Sequence, residues 1–278
     1  MITITFIRHG QSEDNPRGIW AGWKDAPLSE LGMRQAQALG DHLSTTRIDL
    51  IYSSPLLRAR QTGEAVQSGQ SIPPALITNP HLREQHWGIA EGHPACRHAP
   101  LNVTHEEAFK VGIFPRTALL DDDGRFPGGE SRNDLVARAD IAIKECVLPH
   151  LTEENFRNGL HLAFTSHGLC IGQLIAALLR YDASADKDVS YEGLRNTAWT
   201  RVKVSLNSNC GGVCPAVVVN VTHVDAKEHL KLLDQSAVPN IEFPLDDRTK
   251  EAVEFLSGRE NSTEEQCKVR SRKGNNAK

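Results

Sequence analysis

Two places along the chain share a grammar: Phe6-Ile7-Arg8-His9-Gly10 and Phe164-Thr165-Ser166-His167-Gly168. Each sets a histidine at the end of an apolar run and follows it with glycine. A neutral imidazole, with a reference pKa of about 6.5, is a competent nucleophile at pH 7, and phosphorus is one electrophile it attacks through a covalent intermediate. Phosphoryl transfer also needs charge neutralised on three equatorial oxygens, which guanidinium groups do by bidentate hydrogen bonding. Arg8 and Arg58 are the candidates for that task. A single histidine after a strand is more often structural. Two of them, with an arginine beside the first, point towards chemistry at phosphorus.

For two such histidines to meet, their strands must be neighbours. The alternation of Ile2, Ile4 and Phe6 with Thr3 and Thr5 predicts a strand over 2–7, and residues 160–166 predict a second, buried one. Between them, Leu31, Met33, Ala36, Leu39 and Leu43 recur at helical spacing after Ser29, so a helix over 30–44 is expected with Ser29 as its N-cap. A short strand at 49–53, a helix reaching Ala65-Val66, a helix over 131–148 and a nearly all-apolar helix over 168–180 follow from the same patterning. Strands over 197–206 and 215–221 flank Gly211-Gly212 and suggest an antiparallel hairpin. Strands alternating with helices imply βαβ units. The expected fold is therefore α/β, a three-layer α/β/α sandwich around a mostly parallel mixed sheet. Such sheets keep ligands beyond the carboxyl ends of their strands, where both histidines fall.

Residues 92–126 show no sustained periodicity but carry His93, Arg97, His98, His105, Lys110, Arg116 and Arg125. They read as a lid insertion in which Thr104-His105-Glu106-Glu107 opens a short helix through a capping box. One domain over 1–258 is expected, followed by a polar, disordered tail over 259–278.

Lys+Arg 31 against Asp+Glu 35 over 278 residues gives a net charge of −4, so no global positive field exists to hold nucleic acid, and any anion site is local. The longest apolar run, 174–179, is far short of a membrane span, and the first residues lack a secretory pattern. Six cysteines form no disulfide framework. A soluble cytoplasmic protein with reduced thiols is expected, with no membrane partner and no legible oligomeric state. Twelve histidines oblige a metal reading to be weighed. Cys210, Cys214 and His223 offer suitable ligands, but they bracket a Gly-Gly turn and lack a fourth; His81, His86, His93 and His98 are irregularly spaced. Neither metal nor cofactor is expected.

The segment Arg8-His9-Gly10-Gln11-Ser12-Glu13-Asp14-Asn15 resembles the R-H-G-x-[ST]-x-x-N signature of the histidine phosphatase superfamily, in its phosphoglycerate-mutase-like branch. Asp25 to Gly32, Tyr52 to Thr62 with Arg58, Leu82 to Gly88 with Glu91-Gly92, Pro127 to Ser131 and Ser166-His167-Gly168 are similar to the blocks that follow it. The resemblance covers roughly residues 2–225. It implies that His9 is the phosphorylated nucleophile and that Arg8, Arg58 and His167, the last protonated, surround the phosphoryl group. It also implies that Glu84 protonates the leaving alcohol and then activates water, and that Gln11, Ser12 and Asn15 border the substrate. Gly10 would let the backbone pass close to the imidazole. The roles of His86 and Trp87, as pocket walls or packing, stay open.

The implied activity is metal-independent hydrolysis of small phosphorylated metabolites. A fructose-2,6-bisphosphatase-type enzyme is an alternative, with Arg97, Lys110, Arg116 or Arg125 holding a second phosphate. Phosphoglycerate mutase is another, although that branch has arginine where this chain has Gln85. A non-enzymatic scaffold for a phosphorylated ligand is least favoured, because every chemical group is present.

Overall fold

The first strand, β1 (Ile2–Arg8), explains the layering by its own alternation. Ile2, Ile4 and Phe6 enter one core and Ile7 the other, all fully buried. The computed structural model describes residues 1–206 and 217–233. After β1 come α1 (Glu30–Leu43), β2 (Leu50–Ser53), α2 (Leu57–Ser68) and β3 (Ala75–Thr78). The insertion contributes β4 (Ala95–Cys96), α3 (His105–Lys110) and β5 (Phe114–Pro115). Then follow α4 (Arg132–Cys146), α5 (Glu153–Asn158), β6 (His161–Ser166), α6 (Gly168–Leu179), β7 (Trp199–Leu206) and β8 (Val217–Ala226).

Six strands form one sheet in the order β3-β2-β6-β1-β7-β8. The first four are mutually parallel, while β7 and β8 run antiparallel to their neighbours. Leu135 and Ile143 of α4 and Leu174 and Leu178 of α6 pack on the face that holds Phe6, Phe164 and Val202. Leu39 and Leu43 of α1 and Val66 of α2 cover the other face over Ile51, Ala163 and Trp199. This is the expected three-layer sandwich around a mostly parallel mixed sheet.

Local chemistry sets the helix starts. Ser29 Oγ accepts from Gly32 N at 3.1 Å, while Thr104 with Glu107 and Ser131 with Asp134 close capping boxes over α3 and α4. Two elements escape the sequence patterning. β3 is a four-residue edge strand without alternating burial, and α5 is a six-residue helix capped by Thr152 and ended by Gly159 at φ 71°. β8 runs to Ala226, past the expected 221, because its polar Asn220, Thr222 and His223 lie exposed on the sheet edge. The Gly211-Gly212 turn, Cys210, Cys214 and the tail 259–278 lie outside the described residues.

The insertion is packed rather than loose. Trp20 and Trp87 pack at a tilt of 58° with centroids 4.7 Å apart, Phe126 meets Trp20 edge-on at 5.3 Å, and Phe114 joins them in a small core. No helix among the described residues is long and apolar enough to cross a membrane.

Candidate active site

β1 and β6 are adjacent, parallel and in register, with Arg8 opposite Ser166. The next residue of each strand therefore emerges at the same edge, and these are His9 and His167. Their ring centroids lie 5.0 Å apart at 59°, and His9 N donates to Ser166 O at 3.0 Å. His9 Nδ1 lies 2.6 Å from the carbonyl of Gly10. A carbonyl can only accept, so Nδ1 carries the proton and the lone pair sits on Nε2. Burial, with Arg58 and Arg8 adding to it, holds the His9 imidazole well below its ordinary pKa. It is neutral, and nucleophilic, at pH 7.

His167 Nε2 lies 2.9 Å from Ser54 Oγ, which itself accepts from Leu56 N at 3.3 Å. With the Ser54 hydroxyl as the donor in this contact, His167 carries its own proton on Nδ1. Burial first, then Arg58, His9, Arg138 and Arg8, hold His167 well below its ordinary pKa. The sequence reading has His167 protonated; its burial and the neighbouring guanidinium groups instead favour the neutral imidazole, and the arginines carry fixed positive charge.

Arg58 lies on α2 but is only 1% exposed, unlike the solvated arginine usual on a helix face. Its Nη1 donates to Lys24 O and its Nη2 to Gly22 O, both at 2.8 Å. Buried Asp14 pairs with Lys24 at 3.0 Å and tethers that loop. Arg8 Nη1 donates to Leu194 O. Burial lowers both guanidinium pKa values, yet arginine stays charged. Arg8 Nε, Arg58 Nε and His167 Nδ1 are buried without a hydrogen-bond partner. A buried N–H of this kind costs about 1–3 kcal/mol, so three of them beside His9 form a donor set suited to an oxyanion.

Glu84 sits at the N-terminus of α6. Its Oε1 accepts from Gln85 N at 3.0 Å and Cys170 N at 3.2 Å, and its Oε2 from Leu169 N at 3.3 Å. Its main-chain carbonyl accepts from Trp23 Nε1 at 2.7 Å and Arg138 Nη2 at 2.9 Å. Arg138, 8% exposed, also donates to both oxygens of Glu130 at 2.9 and 2.8 Å and to the carbonyls of His81 and Arg83 at 2.9 and 2.7 Å. One guanidinium thus fixes the turn that carries Glu84. Sequence reasoning overlooked Arg138 and Trp23. The signal for Arg138 was its place between Leu135 and Ala139 on the apolar face of α4, where an arginine must find partners.

A cavity of about 470 Å³ opens over these groups, lined by Arg8, His9, Arg58 and Glu84 and by Trp20, Trp87, Leu119, Arg116 and Arg132 from around it. Of the three residues expected to border the substrate, Asn15 lines this cavity, whereas Gln11 and Ser12 do not. Gln11 accepts from Ser29 Oγ at 2.8 Å and Ser12 is fully buried in a bridge with Leu28. Gly10 is needed for a different close approach than expected: a Cβ there would lie 2.6 Å from Gly32 O, at the start of α1. Among the insertion's basic residues only Arg116 reaches the cavity; Arg97 and Lys110 are exposed, and Arg125 pairs with Asp134 at 2.7 Å. Trp87 both lines the cavity and packs on Trp20, while His86 packs on Trp23 with centroids 4.5 Å apart. Among the described residues no group of three or more His, Cys, Asp or Glu side chains is placed to hold a metal ion.

Comparison with known proteins agrees with this geometry. The family model described as "Histidine phosphatase superfamily (branch 1)" matches residues 4–209. The chain is 34% identical over 203 residues to a probable phosphoglycerate mutase, GpmB, of Proteus mirabilis (strain HI4320), a match spanning 73% of this chain and 85% of that protein. Among solved structures it is similar to "Mycobacterial hydrolase 1" at 25% identity and TM-score 0.63, over 82% of this chain and all of the other. It is also similar to the native mycobacterial glucosyl-3-phosphoglycerate phosphatase at 25% identity and TM-score 0.60, with the same coverage.

Proposed function

The chain belongs to the histidine phosphatase superfamily, and from that premise we propose that it is a metal-independent phosphomonoesterase acting on small phosphorylated metabolites. The observation that carries this reading is the bare Nε2 of neutral His9 among buried guanidinium and imidazole N–H donors, with the Glu84 carboxyl on the same cavity. Nε2 attacks phosphorus, the N–P bond forms as the ester P–O bond breaks, and a protonated Glu84 gives its proton to the leaving alkoxide. Arg8, Arg58 and His167 Nδ1–H stabilise the equatorial oxygens in passing. Glu84, now a carboxylate, takes a proton from water. The resulting oxygen attacks phosphorus, the P–N bond breaks, and inorganic phosphate leaves with His9 neutral again. The guanidinium groups supply the positive charge, so no step calls for a metal.

The cavity is much larger than a phosphate and carries apolar walls, which favours an alcohol portion of some size over glycerate. A mutase reading is favoured by the name of the Proteus mirabilis relative. Against it stands Gln85, 5% exposed, whose amide is committed to Glu130 O at 2.8 Å, so no cation follows Glu84 to hold a substrate carboxylate. Arg116 and Arg132 are the lining cations through which a bisphosphatase reading would run, and Arg132 is engaged by Glu192.

A quench of turnover tests the proposal. A phosphoramidate on His9 is labile in acid and durable in alkali, and His9→Ala abolishes label and activity. Glu84→Gln slows sugar phosphates by about 10²–10⁴-fold while an aryl phosphate retains its nitrophenol burst, because nitrophenolate departs unprotonated. Dialysis against EDTA leaves the rate unchanged. An alkali-labile label, activity in His9→Ala, or transfer to glycerate instead of water would overturn the reading.

A further inference from the structure

The family match ends at residue 209, yet two side chains beyond it reach back to the loop that holds the nucleophile. That loop, residues 194–197, is the second support of His9 after the sheet. Asn196 Nδ2 donates to His9 O at 3.1 Å and reaches Asn15 Oδ1 at 3.3 Å, and Thr197 N donates to His9 O at 3.2 Å. Leu194 O accepts from Arg8 Nη1. Both the nucleophile and one phosphate-binding arginine therefore take their places from this loop.

Thr197 is fully buried and sits at φ 56°, a left-handed conformation that a β-branched residue adopts only when its surroundings hold it there. Its hydroxyl donates to Asn196 O at 2.8 Å, and its Oγ1 lies 2.9 Å from His229 Nε2. With the hydroxyl proton already given, His229 Nε2–H is the donor in that pair. His229 is buried in the 3-10 turn Glu228–Leu232, and burial, with His42 adding to it, lowers its pKa to about 4, so it remains a neutral donor at working pH. The second anchor is Asp225, itself at φ 50°, whose Oδ1 accepts from Arg195 N at 2.8 Å.

We infer that Asp225 and His229 are positioning residues for the phosphoryl transfer, which brace the 194–197 loop and thereby fix His9 and Arg8 in their reactive placement. The inference rests on His9 being the nucleophile of the proposed reaction. Neither side chain lines the cavity, so their removal should reach the substrate only through the placement of His9 and Arg8.

The burst of nitrophenol from an aryl phosphate, followed in the full chain, tests this together with steady-state kcat and KM. His229→Leu and Asp225→Ala are expected to slow the phosphorylation step by about 10-fold to 100-fold, the range for a displacement of about 1 Å at a reacting centre, with the loss falling on kcat more than on KM. His229→Gln keeps an N–H near the position of Nε2, and Asp225→Asn keeps an acceptor and tolerates the left-handed backbone, so each is expected to restore most of the rate. Two separate anchors keep the test alive if one variant fails to fold. A burst unchanged in His229→Leu and Asp225→Ala, an equal loss in the conservative variants, or a rise in KM at constant kcat would overturn the inference alone. A wild-type protein that shows no burst would instead remove the proposed reaction on which it rests.

Discussion

Replacing Arg138 with leucine should separate the placement of Glu84 from the chemistry at His9. The guanidinium is 8% exposed and makes five hydrogen bonds, two to Glu130 and three to the carbonyls of His81, Arg83 and Glu84. Leucine keeps the apolar stem but leaves the Glu130 carboxylate, 18% exposed, without its counter-ion. Breaking a buried pair from one side costs about 3–5 kcal/mol. At roughly 2–4 °C per kcal/mol for a domain of this size, the melting temperature should fall by about 6–20 °C. The catalytic consequence follows from the carbonyl of Glu84, which keeps only Trp23 Nε1 as a donor. A carboxyl displaced by about 1 Å costs about 10²-fold in a step that needs it. Turnover of an alkyl or sugar phosphate should show that loss, and the aryl phosphate burst should show much less. Thermal melts and burst kinetics on the same preparation measure both effects. A melting shift below about 3 °C, or equal losses for the two substrate types, would refute the claim that Arg138 holds the Glu84 turn.

Arg58→Lys should lower kcat/KM by about 10²–10³-fold, because one ammonium cannot both grip Gly22 O and Lys24 O and present donors to an oxyanion; steady-state kinetics retaining more than a tenth of the wild-type value would contradict this. His161, buried at the start of β6 with Nε2 2.8 Å from Thr5 Oγ1 of β1, has its pKa pushed down to about 4 by burial. Its folded pKa lies below the unfolded value of about 6.5, so the unfolded chain binds more protons in between, and this share of stability is complete above pH 6.5 and lost as pH falls towards 4. The His161 share of the stability lost between pH 7 and pH 5 should be about 1–2 kcal/mol, so urea melts of His161→Gln should lose that much less than the wild type over the same range.

Much of this site was legible because its residues stand at strand ends. Period-two alternation in Ile2–Phe6 and the apolar run before His167 located β1 and β6, and a parallel sheet then requires both histidines at one edge. Ser29 and Thr104 marked two helix starts through side-chain chemistry alone. β3 and α5 were illegible because four to six residues carry too few periods to reveal a face. The protonation of His167 could not be read either, since it depends on Ser54 and on burial that only tertiary packing supplies. Asp225 and His229 act through hydrogen bonds to residues far away in sequence, and no local spacing announces such partners.

The register of β1 against β6 also bears on how the protein comes to be active. His9 is made with the first strand and His167 only after β2, β3 and the whole insertion, so the two meet through one of the most distant pairings in the sheet. Contacts of such sequence separation form late, because the intervening chain must be closed before they stabilise anything. A product cut before β6 would hold the nucleophile yet lack the carbonyl of Ser166 that receives its N–H and the imidazole beside it. During synthesis or refolding the chain therefore stays chemically silent until its central strand pair closes, and recovered turnover reports on a long-range step of folding rather than on the first appearance of helices.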